Sequence, residues 1–376
     1  MGVKIERWKI AVIAALPIQI LLVVWASYHP EWVERYYAHG LYPYISWVLR
    51  ASSGLVPVPI GQLIFYALIV LILVRLFSLA RQRWRKKITG LQLSGILVTD
   101  TLYFFSITYF LFMISWGMNY QRQPVSTVAG LDVDDIQTPE LYSLCGALIE
   151  KCNTQRDLLR LAEGELPLTD KELLQKSIDG FSQAPEDFGF LRYNLPSVKS
   201  VLVPELMSAF GVAGIYFLFT GEANVNMGPP NFLVPATTCH EMAHQLGYAS
   251  EDEANYIAYL TTQFNPDLSF QYSGNLMAMR YTMRAMYRTD TIQYQELIEG
   301  VSKDVLSDLA QTRAYWRSFD NPIEPISDVI YDLFLKANSQ KAGIASYSQV
   351  VRLLVAEHRK GRLGLTPPEA PSNTSE

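Results

Sequence analysis

Three apolar runs in the first third of the chain restrict its fold more than any other feature. Ile10 to about Trp25 is interrupted only by Pro17 and Gln19. Ile60 to Leu79 carries Arg75 near one end, and Leu93 to about Trp116 contains one acidic residue, Asp100. Each approaches the roughly 20 residues that cross a bilayer as a helix, so spans are expected at about 10–27, 60–80 and 93–116. Composition agrees. With 49% hydrophobic residues, 18% charged residues and a mean hydropathy of +0.10, the chain is too apolar for an ordinary soluble enzyme and too polar to lie wholly in a membrane. The length of the first run, its flanking Trp8 and Trp25, and its lack of a small-x-small cleavage site favour an uncleaved anchor over a signal peptide.

Positive charge sets the expected orientation. Lys4, Arg7 and Lys9 precede the first span, and Arg81, Arg83, Arg85, Lys86 and Lys87 crowd a loop at about 81–92. The positive-inside rule puts both on the cytoplasmic face. The segment from about Tyr28 to Pro59 is then outside, and its Trp32, Tyr36, Tyr37, Tyr42, Tyr44 and Trp47 suit the membrane interface. Everything after about Gly117 also lies outside. The expected layout is a membrane domain over 1–117, an extracytoplasmic domain over 118–366 and a disordered polar tail over 367–376. A net charge of −5 argues against a nucleic-acid partner, and the basic loop needs no more than topology to explain it. A transporter is disfavoured, because the spans are few and Asp100 is almost their only charge.

The chemistry of the chain is concentrated in His240-Glu241-Met242-Ala243-His244. Histidines four apart on a helix project from one face, so both rings reach one metal ion. The Glu beside the first His can act as general base at an open coordination position. With 5 His in 376 residues, roughly 0.003 such matches are expected by chance. Pro235 suits a first turn and Gly247 a stop, which predicts a helix from about Pro235 to Leu246. Ser250 is the expected N-cap of the next helix, and Ser250 with Glu253 has capping-box spacing. Glu251 and Glu253 compete for third metal ligand. Glu251 is preferred, because it shares a face with Ala254, Asn255 and Ala258, which packs closely on the first helix and lets Asn255 hydrogen-bond a ligand. Zinc suits a His₂Glu set with an open position.

The rest of the outer domain reads as mostly helical. Helices are expected from Thr138 to about Ala162, Thr169 to about Asp179, Leu268–Arg288, Ser302–Phe319, Ile326–Ala337 and Tyr347–His358. The β-rich stretch Gly214–Gly221 leads into Glu222-Ala223-Asn224-Val225-Asn226 just before the metal helix. It is either an edge strand that pairs with an extended peptide, with Asn224 and Asn226 on it, or a small structural sheet capping the helices. Cys145 and Cys152 lie about 10 Å apart along one helix, too far to pair, and with Cys239 they read as buried structural thiols. The fold class is mainly α: three transmembrane helices, then a mostly helical α+β domain with a small sheet before the HExxH helix.

The segment CHEMAHQLGYASEDEANYIAYL, with FTGEANVN upstream and YDLFLKANSQKAGIASYSQVVRLL downstream, resembles the bacterial membrane family known as domain of unknown function 3810. The order of three spans before a zincin-like domain is similar too. The resemblance implies a multi-pass bacterial membrane protein with a zinc metallopeptidase domain. Glu251-x-x-Ala254-Asn255 is similar to the ligand helix of gluzincins, with Asn255 in place of their acid. HExxHxxG alone also resembles metzincins, but position 250 is Ser rather than their third His.

The expected reaction is hydrolysis of a peptide or protein substrate outside the cytoplasm, with Zn²⁺ on His240, His244 and one of the two glutamates and Glu241 as base. Tyr331 and Tyr347 are candidate oxyanion donors, and His358 is expected at a solvated helix end. The alternative is a membrane-bound zinc sensor or assembly partner without proteolytic activity. The intact Glu241 weighs against it.

Overall fold

The computed structural model describes residues 6–161, 169–320 and 348–362. The chain divides into two compact units, residues 1–123 with 217–222, and residues 124–216 with 223–376.

In the first unit, α1 (Arg7–Ser27), α3 (Ile60–Trp84) and α4 (Gly90–Ser115) are long and apolar enough to cross a membrane. Only 6%, 6% and 11% of their most apolar windows are buried by protein. α1 runs unbroken through Pro17. Asp100 is paired rather than bare. Lys9 of α1 lies 3.2 Å from it and Arg75 of α3 lies 2.7 Å from it, so one carboxylate of α4 ties both other helices. Between α1 and α3 the chain is helical, with a wide-turned helix over Val33–Leu41 and α2 over Tyr42–Gly54. The aromatic residues there split. Trp32, Tyr36, Tyr44 and Trp47 are exposed, whereas Tyr37 and Tyr42 are core, the Tyr37 hydroxyl donating to the Ile114 carbonyl at 3.0 Å. Arg122 makes a buried two-pronged ion pair with Glu34. Glu222, at the tip of a hairpin, accepts the backbone N–H groups of Ile60 and Gly61 and so satisfies open donors at the start of α3.

The second unit is mostly helical. Its long helices are α5 (Thr138–Leu161), α6 (Val234–Gln245), α7 (Glu251–Phe264), α8 (Leu268–Thr289), α9 (Thr291–Glu299), α10 (Lys303–Arg317) and α11 (Gln349–Lys360). Local chemistry starts several of them. Asp267 accepts the Ser269 N–H before α8, Asp290 those of Ile292 and Gln293 before α9, and Ser302 that of Val305 before α10. α9 was not anticipated, although Asp290 carries its start signal. From Thr169 the helix ends at Lys176 and a second short one follows over Asp179–Ser182. α5, α7 and α8 share one apolar core that includes Leu144, Leu148, Ile257, Leu260 and Leu276. Cys145, Cys152 and Cys239 are free and buried within it, and burial pushes the Cys239 thiol up to about 12. The expected helix Ile326–Ala337 and the tail 367–376 lie outside the described residues.

The sheet has three strands, β1 (Val198–Ser200), β2 (Gly214–Phe217) and β3 (Glu222–Val225), in the order β1-β3-β2. β1 runs parallel to β3, with Lys199 opposite Asn224. β2 and β3 form a hairpin whose turn closes at Gly221, where φ is +67°. This corrects the expected placement of Asn224 and Asn226 on a peptide-binding edge. Asn224 is on the central strand and fully buried. Asn226 is spent locally, donating to Ser208 Oγ and the Val212 carbonyl and accepting the Gly228 N–H. The outer strand on that side is β2.

Candidate metal centre

α6 begins with Pro235 in its first turn and ends two residues before Gly247. There φ is +87°, and the Gly247 and Tyr248 N–H groups return to the carbonyls of His244 and Ala243. This is a Schellman turn, which needs a residue without Cβ strain. It also turns the Tyr248 carbonyl back to 2.7 Å from His244 Nδ1. A carbonyl only accepts, so Nδ1 carries the proton and Nε2 keeps its lone pair. His240 is oriented in the same manner, its Nδ1 donating to Asn255 Oδ1 at 3.0 Å. The two rings are edge to face, 4.8 Å between centroids.

Both Nε2 atoms face one carboxylate. His240 Nε2 lies 3.1 Å from Glu251 Oε2, and His244 Nε2 lies 3.7 Å from Glu251 Oε1. One donor atom from each of the three residues falls within 4.8 Å of the others. Ligands about 2.0–2.2 Å from a tetrahedral zinc stand about 3.3–3.6 Å apart, so the set fits a metal ion of that kind with little movement. The charges are consistent with mutual dependence. Burial opposes a charge on His240, but Glu251, Glu241 and Asn255 outweigh it and raise the ring to about 9. Burial holds His244 down to about 4. Burial likewise pushes the Glu241 carboxyl up to about 8, against the pull of His240.

The acidic run Glu251-Asp252-Glu253 sends each carboxylate to a different task. Glu251 faces the histidines. Asp252 accepts the Val350 N–H at 3.0 Å, at the start of α11. Glu253 accepts the Val125 N–H at 2.7 Å, at the start of a short helix over Val125–Val128. Glu253 therefore points away from the histidines, and the expected capping box does not form, since the Ser250 side chain makes no cap bond. Successive helical residues are about 100° apart, so three neighbours cannot share one face.

Glu241 is buried beside β2. A Cβ placed on Gly214 would stand 2.5 Å from its Oε1, so the strand backbone lies directly on this carboxylate. Tyr216, on the same face of β2, has its ring 6.4 Å from that of His244. Neither residue was singled out from sequence, where only their spacing of two marked them. Tyr331 and Tyr347 lie outside the described residues. His358 is not at a solvated end. It is buried, with Nε2 3.1 Å from Ser143 Oγ, because the amphipathic α11 turns that face onto α5.

No curated protein and no solved structure matches the chain. A family model does, that of the protein of unknown function DUF3810, over residues 37–355, a stretch that takes in the apolar helices α3 and α4, the sheet and both helices that carry His240, His244 and Glu251. The chain belongs to the DUF3810 family.

Proposed function

We propose that the protein is a membrane-anchored, zincin-like zinc metallopeptidase that hydrolyses peptide bonds on the outer side of a bacterial membrane. The observation that carries this reading is the convergence of His240 Nε2, His244 Nε2 and the Glu251 carboxylate, with both Nδ1 atoms already donating elsewhere and Glu241 alongside. A purely structural site has no need of a buried carboxylate that is not a ligand.

His240, His244 and Glu251 would hold the metal. Zinc, when bound, supplies Lewis acidity toward a water and a substrate carbonyl. Glu241 takes the water's proton at its carboxylate and delivers it to the leaving amine. Its burial beside β2 holds the carboxyl at the site and away from bulk water. Tyr248 and Asn255 keep the imidazoles in the ligating tautomer. The β2 strand runs past Glu241, where an extended peptide can lie along backbone donors and acceptors.

The test is zinc content and peptide hydrolysis by detergent-purified protein, beside His240→Ala and Glu241→Gln. We expect about one zinc per chain in the unaltered protein and in Glu241→Gln, and none in His240→Ala. Hydrolysis of a mixed peptide pool should fall by about 10²–10⁴-fold in Glu241→Gln, the range for loss of a general base. Absence of zinc from the unaltered chain after reconstitution overturns the reading. Zinc without hydrolysis leaves a non-proteolytic zinc-binding protein.

A further inference from the structure

Three charged side chains meet where the helices of the first unit are otherwise apolar. Arg75 of α3 grips Asp100 of α4, donating to Oδ2 from Nε at 3.1 Å and from Nη2 at 2.7 Å. Lys9 of α1 reaches Oδ1 of the same carboxylate at 3.2 Å. Two cations thus share one anion, and the group keeps a net charge of +1. Its donors are in surplus as well. A guanidinium carries five N–H groups and an ammonium three. Among the described residues, Arg75 Nη1 has no acceptor and Lys9 Nζ has none besides Asp100. Lys9 Nζ lies 5.5 Å from the centre of the Tyr103 ring, a contact that favours a cation but supplies no acceptor oxygen.

The surplus charge is open to the surroundings. The Arg75 side chain is 51% exposed, and those of Asp100 and Lys9 are 30% and 26% exposed. At a rise of about 1.5 Å per residue, Arg75 and Asp100 lie about 14–15 Å from the ends of α3 and α4 that meet at their shared loop. On α1 the same level falls beside Trp8, whose ring meets that of Tyr103 edge to face at 5.0 Å. Such aromatic side chains suit the headgroup level of a bilayer. Further from the loop, Leu71 and Leu68 on the Arg75 face of α3 and Phe104 on the Asp100 face of α4 are exposed and apolar. A cationic group beside an apolar strip matches a molecule with an anionic head and apolar tails. In hydrocarbon an uncompensated charge is costly and is met by a partner of opposite sign, and basic pockets between membrane helices take lipid headgroups for that reason. We infer that Lys9 and Arg75, set side by side by Asp100, form a binding site for the phosphate of an anionic phospholipid. Arg75 Nη1 and Lys9 Nζ donate to the phosphate oxygens, and the acyl chains lie along Leu68, Leu71 and Phe104. Asp100 orients the two cations, and its own charge limits their pull. The inference rests on α1, α3 and α4 lying in a bilayer, as their length and apolarity allow, and is independent of the metal reading.

The measurement is lipid binding by native mass spectrometry of the detergent-purified full chain. It is titrated with dioleoyl phosphatidylglycerol or with dioleoyl phosphatidylethanolamine, which has the same chains and phosphate but no net charge. Inorganic phosphate in large excess serves as a competitor. The variants are Arg75→Gln, Asp100→Asn and Arg81→Gln, the last removing an exposed cation in the final turn of α3. Circular dichroism follows the helix content of each. We expect the unaltered chain to prefer phosphatidylglycerol by at least about fivefold, the pull of one basic residue on an anionic lipid. The preference should vanish in Arg75→Gln, persist in Arg81→Gln, and hold or grow in Asp100→Asn, where both cations are released. Equal binding of the two lipids by the unaltered chain overturns the inference. So does an equal fall in Arg75→Gln and Arg81→Gln, which would mean a diffuse attraction to the basic loop. A parallel loss in Arg75→Gln and Asp100→Asn at unchanged helix content also overturns it, because the triad would then only hold the helices together. Displacement of the lipid by inorganic phosphate would make this a site for the free ion and overturn the lipid assignment. If Asp100→Asn loses helix content, Arg75→Gln against Arg81→Gln still decides.

Discussion

At the scale of single residues, His240, Glu241 and His244 are legible because their relation is set inside one helix, where residues four apart must share a face. Glu251 is only half legible. It and Glu253 occupy the same first turn of α7, and the small face that Glu251 shares with Ala254, Asn255 and Ala258 favours it without deciding between them. The choice is made by Val125, whose N–H claims Glu253, and by the packing of α7 on α6. Gly214 is a residue of another kind, since its value lies in the atom it lacks. Alanine there would put a methyl carbon 2.5 Å from Glu241 Oε1. A real contact at that distance is not tolerated, so either the strand or the carboxylate must move. Gly214→Ala should therefore retain its zinc and lose about 10²-fold in kcat, the cost of misplacing a catalytic group by about 1 Å. Steady-state kinetics with metal analysis checks this, and an unchanged kcat would show that Glu241 is not confined by β2.

At the scale of elements, the end of α6 ties backbone geometry to metal chemistry. The left-handed Gly247 makes the turn that presents the Tyr248 carbonyl to His244 Nδ1. A side chain at φ +87° costs about 1–2 kcal/mol. Relief of that strain would unwind the turn and move the carbonyl. Gly247→Ala should lower thermal stability modestly and weaken zinc binding about tenfold or more. Chelator competition separates the two effects, and a variant that loses stability while keeping its full zinc affinity would show that the Tyr248 carbonyl is not needed. The helix itself, its proline entry and its glycine stop were readable within a residue or so, because all three are local. The sheet was only partly readable. Its β-rich composition announced a hairpin, yet the third strand, Val198–Ser200, inserts a parallel pairing that places Asn224 in the centre. That pairing joins segments some 25 residues apart, and nothing in the pattern of either one records it.

At the scale of the whole molecule, three apolar helices near the N-terminus can anchor the protein in a membrane. The basic residues at 81–87 predict that their loop is cytoplasmic and that the second unit is outside. The native thiols are all buried, which makes a labelling test clean. In intact cells an impermeant maleimide should modify Tyr287→Cys, an exposed site of the second unit, and not Arg85→Cys in the loop. The reverse pattern would overturn the orientation. Hydropathy, helical period and turn residues act over a few neighbouring positions, so the three long apolar helices, the HExxH helix and several of the other helices could be read from the chain alone, whereas α9 was not. Tertiary packing decided the rest. It selected Glu251 over Glu253, brought the Asn255 amide to His240, laid β2 against Glu241 and buried His358 beside Ser143. Each of those outcomes depends on which side chains from separate elements arrive within about 3–4 Å of one another, and that is fixed by how helices and strands pack rather than by any pattern along one of them.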